Sequence, residues 1–173
     1  MKRATKQILS VVFIIILSVF AAAAQASKVC SGKSEITESE KRQILDSHNK
    51  VRAELNLSKL IWDCELAEVA QEWATRGIFG HRPDNDFGEN LFVASAANSS
   101  PVFAFKQWML EKSYWDNDLG ACQTGKVCTH YTQIVWKKTT KVGCGINRNA
   151  KGKWKTLVVC NYDPAGNSKG PAY

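Results

Sequence analysis

A chain of 173 residues is long enough for one domain with its own hydrophobic core. Its formal net charge of +7 is scattered, with no run of five basic residues, so composition gives no ground for a nucleic-acid partner. Six cysteines without a C-x-x-C spacing speak against a metal cluster.

The chain opens on Lys2, Arg3 and Lys6, followed by an apolar run from Val11 to Phe20 and the small residues Ala21 to Ala24. Ala24-Gln25-Ala26 fits the pattern a signal peptidase reads, so residues 1–26 are expected to be a signal peptide and the mature protein to be secreted and extracellular. The apolar run is short for a bilayer-spanning helix, and no second run is long enough, so no transmembrane anchor is expected after cleavage. The leader holds three cations and no acid, which leaves the mature chain at +4, suited to solubility and mild attraction to anionic surfaces. Cys30, Cys64, Cys122, Cys128, Cys144 and Cys160 all lie beyond the leader. An even number in a secreted chain predicts three disulfides, and six cysteines allow 15 pairings.

Thr37 followed by Glu40 forms a capping box, with Glu38 and Glu40 near the positive end of a helix dipole. Ile44, His48, Val51 and Leu55 then share one face, which predicts the first helix, and Arg52 lies one turn after His48. A second helix is expected from an N-cap at Asp63 through Leu66, Val69, Ala70 and Trp73 to a stop at Gly77. Phe87 to Ala94 reads as a short strand. Ser100-Pro101 opens a third helix, with Phe105, Trp108, Met109 and Lys112 on one stripe and Glu111 beside it. Thr129 to Trp136 is ambiguous by periodicity. Lys141 to Asn147 and Trp154 to Tyr162 read as strands joined by a turn at Asn149-Ala150-Lys151-Gly152. Helices and strands interleave without a regular βαβ repeat, which predicts α+β layers around one core. Asn56 and Asn98 begin glycosylation sequons, meaningful in a eukaryotic host.

Four short motifs stand out along the chain. They are His48-Asn49-Lys50-Val51-Arg52, then Gly88-Glu89-Asn90-Leu91, then the run from Thr129-His130-Tyr131-Thr132-Gln133 to Trp136, and lastly the run from Leu157 through Cys160-Asn161-Tyr162-Asp163 to Asn167. In this order they resemble the signature motifs of the CAP superfamily, which comprises cysteine-rich secretory proteins, antigen 5 and plant pathogenesis-related class 1 proteins, and they are most similar to the last. Thr129 stands where the third motif commonly has glycine, and Ser168 departs from the usual end of the fourth. The resemblance implies a three-layer α-β-α sandwich, with residues 27–40 an N-terminal segment tied by Cys30 and residues 41–173 the CAP domain. It also implies that the third motif is helical, with Thr129 as its N-cap.

Under that resemblance Cys144 and Cys160 would bridge the two expected strands, Cys122 and Cys128 would close a short loop before His130, and Cys30 would pair with Cys64. Plant relatives carry a cysteine before G-E-N-L and another after the G-C strand. Here Phe87 and a cysteine-free Gly145 to Arg148 occupy those places, so both halves of that bridge are missing together. His81, Glu89, Glu111 and His130 match the two histidines and two glutamates of the family's central cleft. Such a set can take zinc or another divalent metal reversibly, act as general acid and base, or simply pair to hold the cleft in shape. His48, Arg52, Asn90, Tyr131, Gln133, Asn161 and Tyr162 are expected to be structural motif residues, His48 packing on the helix stripe and Arg52 anchoring loops.

No G-x-S-x-G elbow or H-E-x-x-H helix is present, and pairing of all six cysteines would leave no thiol nucleophile. With the family resemblance, this implies binding rather than catalysis, in defence or host–microbe interaction, by a monomer. The partners that the resemblance implies are a sterol or fatty acid, or a cell-surface protein. The runner-up is an extracellular hydrolase, a protease dependent on metal or on the His/Glu set. The tail from Pro164 to Tyr173 begins like a signalling peptide that plant relatives release, but ends differently, and reads more simply as a turn-rich clamp over the sheet.

Overall fold

The computed structural model describes Cys30, Gly32 and residues 34–173. The signal peptide expected over residues 1–26 lies outside the described residues. The elements in chain order are α1 (Glu38–Glu54), β1 (Ile61–Trp62), α2 (Cys64–Arg76), β2 (Gly88–Ala94) and α3 (Pro101–Met109), which runs into a 3-10 turn (Leu110–Tyr114). The ribbon β3 (Trp115–Asp116) and β4 (Ala121–Cys122) follows, then α4 (Thr129–Ile134), β5 (Lys141–Asn147) and β6 (Thr156–Asp163).

Side chains fix the first three helix starts. The Thr37 hydroxyl accepts from the Glu40 N–H while the Glu40 carboxylate accepts from the Thr37 N–H, closing the capping box of α1. Asp63 accepts from the Leu66 N–H, and Ser100 from the Phe103 N–H with Pro101 at the first helical position. Gly77 stops α2 at φ 70°, in the left-handed region that favours glycine. The start of α4 differs from expectation. Its cap position is Cys128 rather than Thr129, and no side chain there bonds the first turn. The Glu111 carboxylate reaches across from the 3-10 turn and accepts the N–H groups of His130 and Tyr131 instead, at 2.8 and 3.1 Å. Glu111 and Lys112 thus fall outside α3, and Lys112 is exposed, 3.7 Å from the Glu54 carboxylate. The last strand begins at Thr156, leaving Trp154 in the preceding turn.

The main sheet has the order β1-β5-β6-β2, with β1 parallel to β5 and the other pairs antiparallel. Because strand side chains alternate, Gly143, Gly145, Val159 and Leu91 face α2. Val142, Cys144, Ile146, Val158, Cys160 and Tyr162 face the larger core formed with α1, α3 and α4. Helices cover both faces, giving the three-layer α-β-α arrangement. On the α2 side a Cβ at Gly143 would come within 2.3 Å of the Ala67 nitrogen, and one at Gly145 within 2.3 Å of the Gln71 nitrogen, so the helix backbone rests directly on β5. Gln71 then reaches the edge of β5 beyond the point where the two-residue β1 stops. Its amide donates to the Ile146 carbonyl and accepts from the Ile146 N–H, at 2.8 and 3.0 Å, which closes an otherwise open strand edge.

Three disulfides brace these layers. Cys144–Cys160 joins residues directly opposite on β5 and β6, Cys122–Cys128 closes the loop before α4, and Cys30–Cys64 ties the N-terminal segment to the first residue of α2. Each contributes roughly 2–4 kcal/mol by restricting the unfolded chain. The tail after β6 is stitched to α4 and its flank. The Gly166 N–H donates to Gln133 (2.9 Å), the Thr132 hydroxyl to Asn167 (2.6 Å), the Thr139 hydroxyl to the Pro164 carbonyl (2.8 Å) and the Lys137 N–H to the Ala172 carbonyl (2.6 Å). The Tyr131 hydroxyl donates to that of Tyr173, whose own proton goes to Asn117.

Candidate functional site

The four residues singled out by the family resemblance form two histidine–glutamate pairs. Glu89, at the start of β2, is buried, and its Oε1 accepts from His81 Nδ1 at 2.8 Å and from the Arg82 N–H at 3.1 Å. His81 itself is 70% exposed, on a turn held by the indole N–H of Trp73 donating to the Gly80 carbonyl. The second pair is more enclosed. Glu111 Oε1 accepts from His130 Nδ1 at 2.6 Å while its Oε2 takes the two α4 N–H groups, and His130 is 30% exposed. The His130 ring lies parallel to that of Trp108, with centroids 6.2 Å apart, and Trp108 is fixed by its N–H to the Leu91 carbonyl at 3.0 Å.

Both pairs are fastened to the same edge strand. Glu89 belongs to the first pair, and its neighbour Asn90 donates to the His130 backbone carbonyl at 3.1 Å. The second amide hydrogen of Asn90 goes to the Tyr162 hydroxyl, which donates to His48 Nε2 at 2.9 Å, while His48 Nδ1–H donates to the Ile44 carbonyl. His48 is fully buried, and desolvation pushes its pKa down to about 4, so the ring is neutral and this polarity of the chain is fixed. Burial likewise raises the Tyr162 phenol above its ordinary range. His48 and Tyr162 are therefore structural links between α1, β6 and the site.

Arg52 is also fully buried, and it makes no ion pair among the described residues. Its guanidinium donates to the carbonyls of Ser58, Ile134, Trp136 and Thr139 at 2.8 to 3.0 Å, which fixes the chain just beyond α4. Desolvation lowers its pKa to about 10, leaving it charged at neutral pH. Gln133 locks α4 to β2 and the tail, since a Cβ on Gly88 would fall 2.0 Å from its Oε1. That contact gives a steric reason for the glycine of G-E-N-L. Asn161 is buried opposite Glu89 in the strand register, and neither its amide nor Glu89 Oε2 has a hydrogen-bond partner among the described residues. Trp108, stacked on His130, and Trp73, bonded to the residue before His81, are absent from the His/Glu set read from sequence. They lay on helical stripes that signal core packing.

The pairing bears on the metal expectation. Among the described residues no group of three or more His, Cys, Asp and Glu side chains is placed to hold an ion together. Glu111 is engaged through both oxygens and Glu89 through Oε1 alone, so what both pairs leave without a bond among the described residues is the histidine Nε2, of His81 and of His130. A carboxylate on Nδ1 orients an imidazole and raises its basicity at Nε2. All described cysteines are in disulfides, and no serine or threonine hydroxyl is bonded to either histidine among the described residues.

The pattern of the cysteine-rich secretory protein family (CAP) matches residues 45–162. Pathogenesis-related protein 1A of Nicotiana tabacum is 37% identical over 132 residues, covering 73% of this chain and 76% of the relative. Pathogenesis-related protein PR-1 of Medicago truncatula is 35% identical over 161 residues, with 90% and 91% covered. Peptidase inhibitor 16 of Homo sapiens is 35% identical over 146 residues, 78% of this chain but 32% of its own, so the present chain spans about a third of that protein. Among solved structures, BmVAL-1 aligns with a TM-score of 0.73 at 30% identity over 84% of this chain and 86% of its own. NaASP2 with Zn2+ aligns at 0.69 and 26% identity over 84% and 90%. The layered fold, the ordered motifs and these matches agree, and the chain belongs to the cysteine-rich secretory protein (CAP) family, as a pathogenesis-related class 1-like member.

Proposed function

We propose that this protein is a secreted binding protein, acting outside the cell on a sterol, fatty acid or protein partner in defence or host–microbe interaction. The carrying observation is that among the described residues neither histidine is bonded to a hydroxyl or thiol it would activate, while Nδ1 of each is already committed to its own glutamate. Nucleophilic hydrolysis needs such a nucleophile–base contact, whereas a binding site needs only rigidly held, chemically available groups. The disulfides support an oxidising compartment.

A divalent cation would be taken by Nε2 of His81 and of His130, with Glu89 and Glu111 orienting the rings rather than ligating. Structural and catalytic zinc sites supply three or four protein ligands. Two would make binding weak and reversible, as suits an accessory ion. The relative NaASP2, solved with Zn2+, favours this assignment.

Lipid extraction and mass spectrometry of the purified protein, with calorimetric zinc titration of the wild type and of the His81→Ala/His130→Ala variant, test the reading. A co-purifying lipid or a retained protein partner, and zinc uptake lost in the variant, are expected. Hydrolysis of a peptide or ester that disappears in the same variant would replace the binding reading with the hydrolase.

A further inference from the structure

The turn joining β5 to β6 is a surface of unusual composition that the two His–Glu pairs do not use. Its sequence runs Lys151-Gly152-Lys153-Trp154-Lys155, and all three lysines are exposed. None of them makes an ion pair among the described residues. Glu72 on α2 is engaged by Arg76 at 2.7 Å, and Glu40 on α1 by Arg148. The Lys153 ammonium lies 4.7 Å from the centre of the Trp154 ring.

The turn is held firmly. The Ala150 N–H donates to the Lys155 carbonyl, the Lys155 N–H to the Ala94 carbonyl, and Asn147 to the Ala74 and Thr75 carbonyls at the end of α2. This last contact brings the residues after α2 to the same surface. Phe79 meets Trp154 edge-on at 6.4 Å, and Ile78 and Phe79 are 52% and 56% exposed. Scattered exposed apolar side chains are ordinary. Two beside a half-buried tryptophan and three unpaired lysines make a surface with an apolar tip and a cationic rim.

We propose that this face docks on an anionic lipid bilayer, with Phe79, Ile78 and Trp154 entering the interfacial layer and Lys151, Lys153 and Lys155 meeting the headgroups. Tryptophan and lysine suit that boundary because each carries an apolar body and a polar end. A soluble polyanion would pair with the lysines yet leave Ile78 and Phe79 in water, whereas a bilayer satisfies both parts. The docking face is independent of the ligand and metal reading of the histidine pairs.

Sedimentation with vesicles of phosphatidylcholine alone, or with about 30 mol % phosphatidylserine, tests it at about 0.1 M salt. The vesicles contain no sterol and the buffer contains chelator, so a failure here leaves the histidine site untouched. The protein should sediment with the anionic vesicles and not with the neutral ones. Lys151→Gln/Lys153→Gln/Lys155→Gln should weaken this roughly a hundredfold, taking three lysines near an anionic surface. Phe79→Ser should weaken it about tenfold through lost apolar insertion. Circular dichroism melts that match the wild type keep folding out of the comparison. Equal binding to both vesicles, no sedimentation at all, or an unaffected lysine variant would overturn the proposal. Retention on heparin without vesicle binding would do the same, and would indicate a polyanionic partner instead.

Discussion

On one side of the sheet Gly143 and Gly145 let the backbone of α2 rest on β5. On the other, Val142, Cys144 and Ile146 hold α1, α3 and α4 at side-chain distance around a buried polar network. The α2 side is tight because side chains are missing, so it tolerates no added atoms. The opposite side is thick enough to enclose Arg52, His48, Asn90 and Tyr162, so it depends on every donor finding its acceptor. The candidate site lies where both regimes reach β2, with Glu89 and Asn90 serving different pairs from adjacent positions.

Removing the guanidinium should separate these regimes most sharply. Arg52→Ala removes the donors to four backbone carbonyls, of which only that of Trp136 keeps another among the described residues, the Thr139 N–H, and should lower stability by about 3–5 kcal/mol, read from urea melts. The next effect depends on pH. His48 has a folded pKa of about 4, below its unfolded 6.5, so the unfolded chain binds the proton more readily between those values. The contribution of the buried neutral ring is fully present above pH 6.5 and is lost as pH falls toward 4. The loss amounts to about 3 kcal/mol. His48→Gln should flatten that part of the stability–pH curve, and an unchanged slope would refute the assignment.

Gly145→Ala probes the tight side and should cost about 2 kcal/mol by forcing α2 off the strand. Hydrogen exchange should then quicken at Ile146, whose N–H is held by Gln71. The smallest effect belongs to the carboxylate that caps α4 from outside. Glu111→Gln removes a charge from the helix start and should cost about 1 kcal/mol, with faster exchange at His130 and Tyr131 alone.

The helices with local caps were legible because each cap and its target lie within three residues, as Thr37 and Glu40, Asp63 and Leu66, and Ser100 and Phe103 do. The start of α4 was not, since its capping carboxylate sits 19 residues away on another element. Thr129 had the right chemistry at the wrong position. The two-residue strands β1, β3 and β4 have no periodicity of their own and exist only through their partners. The family resemblance named His81, Glu89, Glu111 and His130, and the fold joins them as two histidine–glutamate pairs. Pairing was one of the alternatives left open; which histidine takes which glutamate, that Trp108 stacks on His130 and that Trp73 bonds the turn before His81 are set by packing between layers.

The stitched tail has a consequence for proteolysis. Gln133, Thr139, Thr132 and the Lys137 N–H grip residues 164–172 at points spread along their length, and Tyr173 is held by Tyr131 and Asn117. Scission of the chain between Asp163 and Pro164 would therefore yield a two-piece complex rather than a free peptide. The severed piece would stay seated like a tightly docked ligand, co-eluting with the body of the protein under native conditions and parting from it only in denaturant.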